Sequence, residues 1–213
     1  MPSLPSVKCS GCGACGQICP KSAISMTPND EGFLYPEVDS SLCVECRVCE
    51  KTCPVLNVRS STDFSERKAY AAICNDEKIR LESSSGGMFT VLAEKVIAEG
   101  GVVFGAEFDS DFSVMHGWTD SVCGLERFRG SKYLQSRTES SFLECRKFLD
   151  DGRKVLYTGT PCQIAGLKAF LKKDYENLFT VDVICHGVPS PALWQKYIKF
   201  RFADCENSFQ AEE

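Results

Sequence analysis

The stretch "CSGCGACGQICP", Cys9–Pro20, places four cysteines with two, two and three residues between them and closes on a proline. The phrase returns 34 residues later as "CVECRVCEKTCP", Cys43–Pro54. These two runs take eight of the 14 cysteines in a chain of 213 residues, so a small cysteine-rich module precedes a larger, ordinary one. The remaining 150 or so residues suffice to bury a core of their own. An apolar content of 43% with 25% charged residues is that of a globular protein. The net charge of −5 argues against nucleic acid as a partner, because phosphate binding relies on an excess of Lys and Arg. No apolar run is long enough to span a membrane. The opening "MPSLPSVKCS" lacks the apolar segment of a signal peptide, so a cytoplasmic setting is expected. There, thiols stay reduced and serve as ligands or buried small side chains rather than as disulfides.

Three readings of the paired runs compete. A disulfide framework conflicts with the reducing setting, and structural zinc wants CxxC pairs a dozen or more residues apart. The third reading is iron–sulfur: CxxCxxCxxxCP is the bacterial ferredoxin signature, in which three cysteines bind one 4Fe-4S cluster and the fourth reaches across to the other. Three thiolates must wrap a cubane corner by corner, and the small Gly11, Gly13 and Ala14 let the backbone bend around it. By this logic Cys9, Cys12, Cys15 and Cys53 hold one cluster, and Cys43, Cys46, Cys49 and Cys19 hold the second. Two such clusters form a short electron wire.

Between the runs, the turn residues Pro28, Asn29, Asp30 and Gly32 separate two β-prone pieces and predict a hairpin. Residues 1–57 form this first domain, 58–67 read as a polar linker, and 68–213 as the second domain. In the latter, strands are expected at 68–74, 102–109 and 113–120, with one helix running from the "SSSGG" loop to the Gly100–Gly101 stop and another over 138–152. A βαβ unit follows: strand 154–158, helix from Pro161 to about Lys172, strand 178–185. A last helix is expected in "PALWQKYIKFRF". The class is α/β, or α+β if the middle strands pair antiparallel. Ligands of parallel sheets bind at the carboxyl ends of strands, which brings Cys162, Cys185 and His186 to one edge. The "SSSGG" loop either cradles an anion on its N–H groups or caps the following helix through Ser84 or Ser85. Cys74, Cys123 and Cys145 read as buried small apolar residues.

The paired runs followed in order by "SSGGMFT", "FRGSKYLQS", "GRKVLYTGTPCQIAGL" and "VDVICHGVPSP" resemble the family of coenzyme F-420 hydrogenase/dehydrogenase beta subunits, from Cys9 to about Lys199. The resemblance implies an iron–sulfur flavoprotein oxidoreductase. Two 4Fe-4S clusters would exchange electrons with FAD on a mixed α/β flavin-type domain, and onward with the deazaflavin coenzyme F-420 or another acceptor. The candidate flavin contacts it implies are Ser84, Ser85, Gly86, Gly87, Arg129, Gly130, Ser131, Lys132, Tyr133, Thr158, Gly159 and Thr160. Lys132 would face a phosphate or the reduced flavin, or else is a solvated surface lysine. Cys162 and His186 join Lys132 as catalytic candidates. In some members the positions of Cys162 and Cys185 help hold a further cluster, whose other ligands lie in a C-terminal half that this chain is expected to lack. The alternative is a ferredoxin-type electron-transfer protein, or a truncated fragment, whose flavin domain is not catalytically competent. Implied partners are a redox protein, hydrogenase or dehydrogenase subunits, or a separate chain supplying the C-terminal half.

Overall fold

A computed structural model describes residues 1–58 and 67–209, with side chains as far as residue 203. Most of the expected linker, residues 59–66, therefore lies outside the described residues.

Each cysteine run folds the same way. A left-handed residue, Gly13 (φ 76°) or Arg47 (φ 55°), starts a short helix: α1, Ala14–Ile18, and α2, Val48–Thr52. Each helix ends on an extended cysteine, Cys19 or Cys53, followed by a proline that cannot continue it. Between them β1 (Ile24–Pro28) and β2 (Leu34–Val38) pair antiparallel. Asn29 closes the turn, its side-chain oxygen accepting from the N–H groups of Glu31 and Phe33.

The larger domain is built on a five-stranded sheet of order β5-β4-β3-β6-β7. β3 (Val102–Phe108) and β4 (Val114–Thr119) form an antiparallel pair, so the sheet is mixed. β6 (Val155–Gly159) runs parallel to β3, β7 (Leu178–Asp182) parallel to β6, and the two-residue β5 (Ser136–Arg137) parallel to β4. The helices are α3 (Glu77–Leu81), α4 (Met88–Ala98), α5 (Ser141–Asp150), α6 (Pro161–Leu171) and α7 (Pro191–Phe209). Alternation along the strands divides the core. Val102, Phe104, Val155 and Tyr157 face α5 and α6, while Val103 and Leu156 face α4 together with Leu125 and Phe128. The first of these clusters also contains Cys12 and Ala14, so the cysteine-rich domain shares a core with the sheet.

Several expectations need correction. Residues 68–74 are not a strand: they pair with no strand among the described residues, and Tyr70 and Ile73 are exposed. The strand expected to reach Cys185 stops at Asp182, where the last ladder bond, Val183 N–H to the Gly159 carbonyl, is made. Cys123 is exposed at the start of a short 3-10 helix whose inward residues are Leu125 and Phe128, while Cys74 and Cys145 are buried.

Candidate functional site

Two cavities lie in the cysteine-rich domain. The first is lined by Cys9, Cys12, Cys15 and Cys53 with an apolar wall of Leu4, Pro5, Met26, Pro36 and Val55. The second is lined by Cys19, Cys43, Cys46 and Cys49 with Pro2, Pro20, Ile24 and Val44. Each cavity takes three cysteines from one run and one from the other. The short helices cause this: Cys15 and Cys19 are one turn apart across α1, Cys49 and Cys53 one turn apart across α2, so each helix spans both cavities. Among the described residues no three Cys, His, Asp or Glu side chains converge tightly enough for a single metal ion. The four thiols of each set line a shared space, an arrangement that suits a polynuclear cluster.

The thiols sit in a low-polarity setting. Burial pushes Cys12 up to about 11 and Cys15 up to about 12, with neighbouring thiols adding to both; Cys9 and Cys49 are raised by burial as well. Thiols so placed ionise only when a cationic group arrives to hold them, and binding it releases protons. Backbone N–H groups already point at sulfur, Gly11 to Cys9 at 3.4 Å and Ala23 to Cys19 at 3.3 Å.

The two loops are not equivalent. The first uses glycine at its left-handed positions, Gly11 (φ 66°) and Gly13; the second places Glu45 (φ 52°) and Arg47 there. A Cβ on Gly11 would run into the Gln135 amide, and one on Gly13 into the Thr138 hydroxyl. The larger domain grips the first loop further. Thr138 donates to the Cys12 carbonyl at 3.1 Å, and Gln135 accepts from Leu34 N–H at 2.9 Å. Gly166 of α6 lies so close that a Cβ there would be 3.0 Å from the Cys12 sulfur. Cys162, one turn earlier on α6, lies near enough for its thiolate to raise the pKa of Cys12 and Cys9. The sequence reading missed Gln135, Thr138 and Gly166. The signal was the contrast between Gly11 and Gly13 and their charged counterparts in the second run.

The segments singled out on the larger domain meet in part. Ser84 accepts from Ser131 N–H at 2.7 Å, and Arg129 bonds Thr90 (3.2 Å) and pairs with Glu82, which joins the serine–glycine loop to the 129–133 segment. Lys132 is half-buried, and that burial lowers its pKa. Its ammonium donates to the carbonyls of Arg129 (2.8 Å) and Gly130 (3.2 Å). Tyr133 is 75% exposed. Neither Ser84 nor Ser85 caps α4; Gly87 is the N-cap, and Gly86 and Gly87 abut the Ala72 carbonyl and Cys74. At the end of β6, Thr158 donates to the Phe104 carbonyl (2.8 Å), and Gly159 accepts from Val183 N–H. Thr160 is the N-cap of α6, and its N–H (2.9 Å) and hydroxyl (3.0 Å) both donate to Gln163 Oε1. Cys185 and His186 lie exposed beyond β7.

Beneath this edge lies a residue that the sequence did not single out. His116 is buried and stacked on Tyr157, with 5.4 Å between ring centroids. Its Nε2 faces the Thr158 carbonyl at 3.0 Å and must donate; its Nδ1 therefore accepts from the Ser136 hydroxyl at 2.7 Å. Burial lowers its pKa to about 4, so it is neutral.

Fold and site together define an iron–sulfur electron-transfer protein. Residues 8–57 match the 4Fe-4S dicluster domain, and residues 152–208 match the C-terminal model of the coenzyme F420 hydrogenase/dehydrogenase beta subunit. Over these two segments the chain is similar to ferredoxin dicluster domains and to coenzyme F420 hydrogenase/dehydrogenase beta subunits. It is 23% identical over 192 residues to an F(420)H(2) dehydrogenase subunit of Methanosarcina mazei, covering 83% of this chain and 53% of that protein. It is also 38% identical over 47 residues to an uncharacterized ferredoxin of Methanocaldococcus jannaschii, covering 22% of this chain and 60% of the ferredoxin. A chain of the F420-reducing [NiFe] hydrogenase complex from Methanosarcina barkeri aligns over 61% of this chain and 49% of its own, with a TM-score of 0.49 and 23% identity. The chain thus spans 53–60% of the length of the curated relatives it matches. No helix of the described residues is long and apolar enough to cross a membrane.

Proposed function

We propose that the chain is an iron–sulfur oxidoreductase module. In this reading Cys9, Cys12, Cys15 and Cys53 hold one 4Fe-4S cluster and Cys19, Cys43, Cys46 and Cys49 hold the other. The observation that carries the reading is the pair of cavities, each ringed by three thiols from one run and one from the other. When bound, such clusters supply one-electron transfer at low potential. The protein's part is to supply four thiolates to each, to exclude water with the apolar walls, and to hold the two sites one helical turn apart.

The 68–213 domain is proposed to bind FAD where residues 84–87, 129–133 and 158–160 stand, and to pass electrons to coenzyme F-420 or a similar two-electron acceptor. The union of Ser84 with Ser131, and of Arg129 with Glu82, supports placing these segments around one ligand. A redox protein or further dehydrogenase subunits are the proposed partners. The second reading, a ferredoxin-type carrier without a working flavin site, draws on Lys132 and on Gly86–Gly87, whose contacts are met within the chain.

Iron, sulfide and flavin stoichiometry on protein purified without oxygen separates the readings. About eight irons and one FAD per chain is the expected result. About eight irons without flavin would establish the carrier reading, and a zinc-containing, colourless protein would sink both.

A further inference from the structure

The first cysteine loop is held from outside by the sheet domain, and one contact in that grip is placed to act on the cluster's chemistry. We propose that Thr138 is a positioning residue for the cluster site of Cys9, Cys12, Cys15 and Cys53: its hydroxyl sets the Cys12–Gly13 peptide and raises the reduction potential of that cluster alone. The inference rests on the reading of that cavity as a 4Fe-4S site.

Thr138 is buried immediately after β5 and before α5, so its position is fixed by the sheet. Its Oγ1 accepts from Gln17 Nε2 at 3.2 Å and lies 3.1 Å from the Cys12 carbonyl oxygen. A carbonyl only accepts, so the hydroxyl proton is committed to Cys12. The hydroxyl also occupies the space that a side chain on Gly13 would need. A hydrogen bond to a carbonyl polarises its peptide and makes the N–H at the other end a stronger donor. That N–H belongs to Gly13, which lines the cavity. A reduced cluster carries one more negative charge than an oxidised one, and stronger donors around its sulfurs stabilise that state. The matching peptide of the second loop is Cys46–Arg47, where both residues are exposed and, among the described residues, no side chain donates to the Cys46 carbonyl. The two clusters are therefore built unequal, and the larger domain sets only one of them.

The test is a redox titration followed by EPR on anaerobically purified native protein and on Thr138→Val, Thr138→Ala and Thr138→Ser. Thr138→Val and Thr138→Ala should move one of two midpoints to more negative potential and alter one of two signals, while Thr138→Ser keeps both native. If Val and Ala instead lose roughly four of about eight irons and Ser loses none, the hydroxyl is needed to build that one site, which also supports the proposal. Unmoved midpoints in all variants with eight irons bound, or equal shifts of both clusters, overturn it. Native protein without iron would instead overturn the cluster reading itself.

Discussion

Arg47 and Gly13 hold the same left-handed conformation, one with a side chain and one without. For a residue with a Cβ that conformation costs about 1–2 kcal/mol, and Arg47 tolerates it because its side chain reaches solvent. Arg47→Gly should therefore stabilise the protein by about 0.5–1 kcal/mol, after the greater unfolded-state freedom of glycine is counted. Gly13→Ala meets both the backbone penalty and the Thr138 hydroxyl, and should lower the anaerobic thermal midpoint read by circular dichroism, where Arg47→Gly raises it. His116 provides a second residue-level prediction. Its folded pKa of about 4 lies below the ordinary 6.5, so its contribution to stability is fully present above pH 6.5 and is lost as pH falls towards 4. Between pH 6.5 and 5 that loss is about 2 kcal/mol. His116→Gln should flatten the fall in midpoint over this range; equal slopes in both proteins would remove the histidine from the account.

At the scale of elements, α5 starts in an unusual way. Its first-turn N–H groups, from Phe142 (2.9 Å) and Leu143 (3.4 Å), face Gln17 Oε1 of α1, so a residue of the cysteine-rich domain caps a helix of the sheet domain. Gln17→Ala should cost about 1–2 kcal/mol and raise hydrogen exchange at Phe142 roughly tenfold, with the α4 amides unchanged. The elements legible in the sequence were those with a local cause. The hairpin has Asn29 and Gly32, α6 has its Thr160–Gln163 box and Pro161, and β3 and β6 open on the buried apolar runs Val102–Phe104 and Val155–Tyr157. Residues 68–74 carry a strand-like pattern but no partner strand, and a pattern without a partner does not make a strand. β5 is two residues long and exists through its pairing with β4, which no local pattern announces. The same limit hid part of the site. Cysteine spacing singled out the eight thiols around the cavities, whereas Thr138 meets Cys12 across 126 residues of sequence and is marked only indirectly, by the glycine at position 13.

The molecule as a whole is joined through Cys12. This cysteine lines the first cavity and also belongs to the core that holds Phe104, Phe142, Tyr157 and Leu167, while Cys46 lines the second cavity from an exposed position. The two proposed clusters should therefore differ in what their loss does to the rest of the fold. Cys12→Ala and Cys46→Ala should each leave roughly four of about eight irons, because the thiols of the two cavities are separate sets. Only Cys12→Ala opens a gap against Gly166 and Phe142, on the face of the sheet where α5 and α6 pack. Hydrogen exchange along Pro161–Leu171 should then rise in Cys12→Ala and stay native in Cys46→Ala. Met88–Ala98, on the opposite face, should be quiet in both. Equal loosening of α6 in both variants would mean that the two clusters support the fold alike, and that the grip of Gln135, Thr138 and Gly166 on the first loop does not single out its cluster. Loosening in Cys12→Ala alone would make that cluster the one whose occupancy the packing of the sheet domain depends on.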